Sequence, residues 1–175
     1  FESILMYLKN KKDFVKKYNL GYSQILQKEL IADIETPVSS LLKISTKEKY
    51  SFLLESVQGG DQKGRYSLLG FDPDLIWEVK KDVVKIKTLK NLSLNIKNFS
   101  KDPFISLKQI IKISKIKKEK IEAPFPILVG YLGYPMIRLM EKIELNNTDN
   151  IKIPDALMIR PKLVAVFDNI KDTIN

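Results

Sequence analysis

Glu55, Ser56 and Arg65 are the residues of this 175-residue chain whose types and spacing come nearest to a binding site. Glu55 and Ser56 follow an apolar run, Phe52-Leu53-Leu54, and Arg65 follows the glycine-rich stretch Gly59-Gly60-Asp61-Gln62-Lys63-Gly64. If residues 51–56 and 65–70 pair as a hairpin, Glu55 and Arg65 lie near each other, beside the Ser56 hydroxyl. Such a trio can grip the ammonium and the carboxylate of a free amino acid. It can equally be a plain cross-strand ion pair, with Glu55 facing water and Ser56 opening the turn. Gly59 and Gly64 also have the spacing of a phosphate-binding loop. Arg65 and Tyr66, however, stand where that loop needs Lys and a hydroxyl, and Tyr66 begins a strand pattern where a helix N-terminus is required.

Other chemistry is excluded by composition. The chain has no Cys and no His. That removes disulfides, Cys/His metal sites, a Cys nucleophile and a His-based triad from it. No paired carboxylates, metal-ligand spacing or activated nucleophile emerges, so no catalytic and no metal-binding residue is assigned. Gly130-Tyr131-Leu132-Gly133-Tyr134 is a second unusual stretch, read as close sheet packing of a central strand.

Lys and Arg number 30 against 21 Asp and Glu, a formal net charge of +9. The excess lies in residues 80–122, where 13 Lys face Asp82, Asp102, Glu119 and Glu122. Arg65, Arg138 and Arg160 are the only Arg, and aromatics are sparse in the basic segment. Nucleic-acid surfaces use both more heavily. The Lys-rich segment therefore reads as the solvated face of a connection and a helix, with neither nucleic acid nor a membrane as partner.

The elements around these residues predict an α+β fold with a largely antiparallel sheet and flanking helices. Short helices are expected over Asp13 to Tyr18, with Asp13 as cap, and from Thr36-Pro37 to about Ile44, with Val38, Leu41 and Leu42 at helical spacing. Ser23 to Ala32 alternates like a strand. Tyr50 to Ser56, with Phe52, Leu53 and Leu54 buried, and Arg65 to Phe71 are the next strands. Asp72-Pro73-Asp74 and Lys81-Asp82 are read as turns bounding strands Leu75–Lys80 and Val83–Thr88. A polar connection precedes a helix from Pro103 to Lys117, capped by Asp102, with Leu107, Ile110, Ile111 and Ile113 as its apolar pattern. Ile127 to Tyr134 is a strand, Pro135 to Glu141 a short helix, and Ala156 to Phe167 a buried strand bent at Pro161. A turn and the start of another strand follow.

Several of these segments resemble the N-terminal region of anthranilate synthase component I, of the chorismate-utilising enzyme family. The resemblance is carried by Glu35-Thr-Pro-Val-Ser39, by Phe52-Leu-Leu-Glu-Ser56 with Gly64-Arg-Tyr-Ser-Leu-Leu-Gly70, by Gly130-Tyr-Leu-Gly-Tyr134 and by Phe167-Asp168. It runs in order from about Phe14 to the last residue, and is weakest over 80–122. It implies one region over residues 1–175, with 89–122 a variable Lys-rich connection and helix. It implies a lyase that, with a glutamine amidotransferase subunit, converts chorismate and glutamine (or ammonia) to anthranilate, pyruvate and glutamate. That is the first step of tryptophan biosynthesis, and it is feedback-inhibited by tryptophan. Magnesium and chorismate would be held by the C-terminal part of such chains, beyond this sequence. Leu54, Glu55 and Ser56 would contact tryptophan, with Arg65, Tyr66 and Ser67 as candidates on the next strand. Aminodeoxychorismate synthase component I, a sister enzyme, is the alternative.

The first residue is Phe and the chain closes within a strand pattern, so a fragment is expected. The longest nearly apolar run, Ile127 to Ile137, has 11 residues, whereas a spanning helix needs about 20. A cytoplasmic location is the default expectation.

Overall fold

The computed structural model describes residues 11–17, 19–20, 24–45, 48–57, 63–88, 98–115, 125, 128–144 and 151–175, with Val57 and Lys63 as backbone alone. Two long strands organise the sheet: β3, Lys63–Lys80, and β6, Ala156–Asp168. They pair antiparallel from Tyr66 opposite Asp168 to Val79 opposite Ala156. Each is flanked by different neighbours along its two halves. β2 (Phe52–Val57) covers the first half of β3, and β4 (Val83–Thr88) the second. β5 (Val129–Leu132) pairs with the first half of β6, while β7 (Thr173–Ile174) pairs with its end and carries β1 (Leu30–Ile31) beyond it. Every pairing is antiparallel, as expected for the α+β fold.

The turn expected at Asp72-Pro73-Asp74 is a bulge inside one continuous strand. Pro73 stands opposite Pro161, and the register slips between Pro73 and Leu75 so that Asp74 has no cross-strand partner. Neither proline has an N–H to contribute to the ladder, so facing them at a bend removes no hydrogen bond. Arg160 closes the bulge: Nε and Nη2 donate to the Asp74 carboxylate at 2.6 and 3.0 Å, and Nη1 donates to Ser114 Oγ at 3.1 Å. Lys162 pairs with Asp72 beside it.

Beyond the bulge, alternate residues Leu75, Trp77 and Val79 point to one face and are buried with Ile110, Met136 and Ala156. The cover is α2, Pro103–Ser114, whose N-cap Asp102 accepts from the Ile105 N–H at 2.8 Å. Its buried row is Pro103, Ser106, Ile110 and Ser114. This corrects the expected apolar face, since Ile111 and Ile113 are exposed. A buried indole N–H needs an acceptor, and Trp77 Nε1 donates to Ser106 Oγ at 2.9 Å. The helix ends at Ser114, short of Lys117, and 116–124 lie outside the described residues. Lys108, Lys112 and Lys115 are exposed.

Lys81 and Asp82 both have positive φ, 47° and 65°, the requirement of a two-residue hairpin turn of matching twist. Arg138, on the 3₁₀ helix Tyr134–Leu139, donates to Asp82 at 3.0 Å and to Asp155 at 2.7 Å, fastening that turn. The 3₁₀ helix replaces the expected helix over 135–141. β5 is a shorter strand than expected and, among the described residues, pairs with β6 alone. Its Gly130 is a close approach all the same, for a Cβ there would collide with the Leu157 carbonyl.

The N-terminal segments are thinner than expected. Residues 11–17 are helical, so Asp13 lies inside the helix and not at its cap, and Tyr18 lies outside the described residues. The strand expected over 23–32 reduces, among the described residues, to Leu30–Ile31, since residues 24–29 have no ladder partner there. α1, Pro37–Ser45, starts on a reciprocal cap between Thr36 and Ser39, the Ser39 N–H donating to Thr36 Oγ1 at 3.1 Å and the Thr36 N–H to Ser39 Oγ at 3.0 Å. None of its residues is itself buried, and Val38 and Leu42 are exposed. Among the described residues no helix is long and apolar enough to cross a membrane.

Candidate amino-acid site

β2 and β3 pair as expected, with Leu54 opposite Leu68 and Glu55 opposite Ser67. Successive residues face opposite sides, so Glu55 shares a face with Ser67 and Leu54 with Leu68. The register then slips, and the next pair is Val57 with Lys63. Between these two pairs β2 has one residue, Ser56, and β3 has three, Gly64, Arg65 and Tyr66, so the bulge lies on β3 opposite Ser56. Gly64 makes room for Ser56, since a Cβ at 64 would collide with the Ser56 Cβ and hydroxyl. The turn at Gly59-Gly60-Asp61 lies outside the described residues.

Burial differs from the expectation. Phe52 and Leu53 are half-buried, while Leu54, at 45% exposure, Glu55 and Ser56 are open. Three consecutive positions thus present an apolar side chain, a carboxylate and a hydroxyl to their surroundings. Of the three candidates on β3, Arg65 is exposed, Tyr66 half-buried and Ser67 buried.

The expected pairing of Glu55 with Arg65 is not what forms. Arg65 turns to Asp168, the last residue of β6, with Nη2 to Oδ2 at 2.9 Å and Nε to both oxygens at 3.3 Å. Its guanidinium also lies over the Tyr66 ring, 4.8 Å from the centroid. Asp168 is the stronger competitor because it is buried and already accepts from the Ile170 and Lys171 N–H groups at 3.1 and 3.2 Å. A buried carboxylate without a cation is costly. The Arg65 hydrogen bonds hold the Asp168 carboxyl below the usual carboxylate range, against the opposing effect of burial and with help from the two backbone N–H groups. The Arg65 guanidinium is correspondingly raised by Asp168.

Asn169 is not among the residues that the sequence singles out. Its Nδ2 donates to the Gly64 carbonyl at 2.8 Å and to Ser67 Oγ at 3.4 Å, and its N–H donates to the Arg65 carbonyl at 2.8 Å. An acid and an amide closing the apolar run Val164-Ala165-Val166-Phe167 are the available signal. Among the described residues, no cluster of three or more carboxylates could hold a metal ion. An open apolar groove of about 470 Å³ lies on the other half of the sheet, lined by Leu107, Ile111, Phe125, Leu128 and Met158. With no charged or hydroxyl group in that lining, it offers nothing to fix the two ends of an amino acid.

The fold is an antiparallel α+β sheet with an exposed carboxylate and hydroxyl, Glu55 and Ser56, at the end of β2. Family models give no match to the chain. Among curated proteins it is 37% identical over 163 residues to anthranilate synthase component 1 of Cereibacter sphaeroides, covering 92% of this chain and 33% of that protein. It is 31% identical to anthranilate synthase component 1 of Aquifex aeolicus, over 91% of this chain and 32% of that one. A solved structure, anthranilate synthase component I from Streptococcus pneumoniae TIGR4, overlaps 87% of this chain and 31% of its own at a TM-score of 0.49 and 23% identity. The chain belongs to the anthranilate synthase component I family, and it spans about a third of the length of the curated relatives it matches.

Proposed function

We propose that this chain is the tryptophan-sensing segment of an anthranilate synthase. The whole protein, with a glutamine amidotransferase subunit, converts chorismate and glutamine to anthranilate, pyruvate and glutamate. The observation that carries the reading is the alignment of 92% of the chain with anthranilate synthase component 1. The exposed Leu54-Glu55-Ser56 strand end supports the sensing role. Glu55 is a carboxylate for the tryptophan ammonium, the Ser56 hydroxyl is a donor for its carboxylate, and Leu54 is an apolar surface for the ring. Arg65 and Tyr66 stand on the neighbouring strand with a cation and a phenol. Bound tryptophan favours a state with low chorismate affinity, a coupling between separate sites that is reciprocal.

Magnesium belongs to the chorismate chemistry. The described residues offer it no carboxylate cluster, so none of them is given a step through it. The cytoplasm, where tryptophan and chorismate are available, is the proposed location.

The test is made on the full-length protein with its amidotransferase subunit, by following anthranilate fluorescence. Ser56→Ala removes one hydrogen bond to the ligand, roughly 1–1.5 kcal/mol, or about fivefold to tenfold in affinity. The tryptophan concentration giving half inhibition rises by that factor. Unchanged inhibition in the variant removes the sensing role. A complex that consumes chorismate without forming anthranilate removes the activity.

A further inference from the structure

Three of the candidate residues, Arg65, Tyr66 and Ser67, lie within one short stretch of β3, and that stretch is held from the far side by the end of β6. Asp168 takes the Arg65 guanidinium. Asn169 takes more. Its carboxamide reaches the Gly64 carbonyl at 2.8 Å and Ser67 Oγ at 3.4 Å, and its backbone N–H reaches the Arg65 carbonyl at 2.8 Å. Gly64 is the residue pressed against Ser56, and Ser67 is the residue opposite Glu55. The two residues that Asn169 holds by its side chain are thus the two neighbours of Glu55 and Ser56 on β3. Backbone at a bulge lacks the regular ladder that would otherwise fix its height. A side-chain donor to the Gly64 carbonyl substitutes for that missing constraint.

We propose that Asn169 is a positioning residue of the amino-acid site: its carboxamide sets the Gly64–Ser67 segment, and through it the placement of Ser56 and Glu55 against the ligand. The proposal rests on the tryptophan-sensing reading. Asn169 itself touches no ligand. It acts by fixing the partner strand, and the chain of contacts is Asn169 to Gly64 to Ser56.

Two variants of the full-length protein test it, each compared with the parent for L-tryptophan binding by calorimetry. Asn169→Ala removes the donor, and its tryptophan Kd rises about tenfold, the equivalent of one lost hydrogen bond. Asn169→Asp keeps the shape but sets a carboxylate against the Gly64 carbonyl. The charged groups around that position are Asp168, its neighbour in the chain, Arg65, whose carbonyl accepts the Asn169 N–H, Lys171, two residues on, and Glu55, opposite Ser67 on β2. A carboxylate facing a carbonyl gains a proton more readily than one in water, and the protonated acid regains a donor. The Kd of Asn169→Asp, taken as a ratio to the parent at the same pH, therefore starts near tenfold at about pH 8 and narrows toward about pH 5. A merely structural lesion lowers thermal stability without that pH profile.

If Asn169→Ala does not fold, the isosteric Asn169→Asp carries the test. A ratio within about twofold of the parent at pH 8, or a defect that does not change with pH, overturns the proposal. Ser56→Ala measured alongside separates the two levels. If Ser56→Ala weakens tryptophan binding and the Asn169 variants do not, the positioning role fails and the site stands. If Ser56→Ala binds tryptophan as the parent does, the site reading fails, and this inference with it.

Discussion

Along Leu75–Lys80 and Ala156–Arg160 the sheet is closed: Trp77, Leu75 and Val79 are fully buried under α2, and the Trp77 indole has its acceptor in Ser106. Along Phe52–Val57, Lys63–Gly70 and Leu163–Asp168 the same two long strands carry an open face, where Leu54 and Leu163 are close to half exposed and no residue of α1 is itself buried. Both halves hold buried apolar side chains, Leu75, Trp77 and Val79 in the closed half and Leu69, Val166 and Phe167 in the open one. The open half adds at its edge a polar latch, Asp168 with Arg65 and Asn169 with Gly64. A closed face gives stability that tolerates no ligand. A polar latch around an exposed carboxylate and hydroxyl gives a surface that can take one.

The largest effect that would sharpen this contrast is at Trp77. Trp77→Ala removes a fully buried side chain and the N–H that Ser106 Oγ accepts, leaving the Ser106 bond to the Pro103 carbonyl, and it should destabilise the protein by about 3–5 kcal/mol, read from urea denaturation. A loss below about 1 kcal/mol would mean that the closed half is not the core. In the open half, the methyl group of Gly64→Ala must push Ser56 aside, and the substitution should cost about 1–3 kcal/mol. Its signature is a loss of tryptophan binding out of proportion to the loss of stability. The two variants therefore separate, one acting on folding and the other on the ligand.

Much of this architecture is legible in the sequence, and the misses share a cause. The hairpin turn at Lys81-Asp82 and the Asp102-Pro103 helix start are local signals, and both appear in the structure. Asp72-Pro73-Asp74 carries equally strong turn chemistry, yet β3 runs through it. What decides that position is Pro161 and Arg160, far along the chain. Likewise Glu55 and Arg65 are near in sequence and opposite in charge, but a buried Asp168 outcompetes the exposed Glu55. Leu54, Glu55 and Ser56 are legible because their types alone suggest a ligand. Asn169 is not, because its role is a contact made by register, which residue types do not encode.

The Asp168 latch has its own test in pH. The Asp168 carboxyl is held below its ordinary value, so its contribution is fully present above the ordinary Asp range, about pH 4. It is lost as pH falls through the lowered folded value. Asp168→Asn removes that dependence. Stability of the variant against pH, measured by denaturant midpoints below about pH 4, should be shallower than the parent's by up to about one proton. Parallel curves would show that the Arg65 pairing does not contribute to folding.

The smallest expected effect discriminates best between an open half that is finished and one that is not. Thr173 lies opposite Asp168 on β7, and its Oγ1 is buried without a hydrogen-bond partner among the described residues. A buried hydroxyl in that state is destabilising relative to an apolar group of the same shape. Thr173→Val keeps the β-branched shape and should raise stability by roughly 0.5–1 kcal/mol, leaving the Arg65, Ile170 and Lys171 contacts of Asp168 in place. A loss of stability of that size in the full-length protein would mean that the hydroxyl is bonded there. The latch would then extend beyond Asp168 and Asn169 to a group supplied from outside this segment, and the contrast between the halves would be one of partner, not of packing.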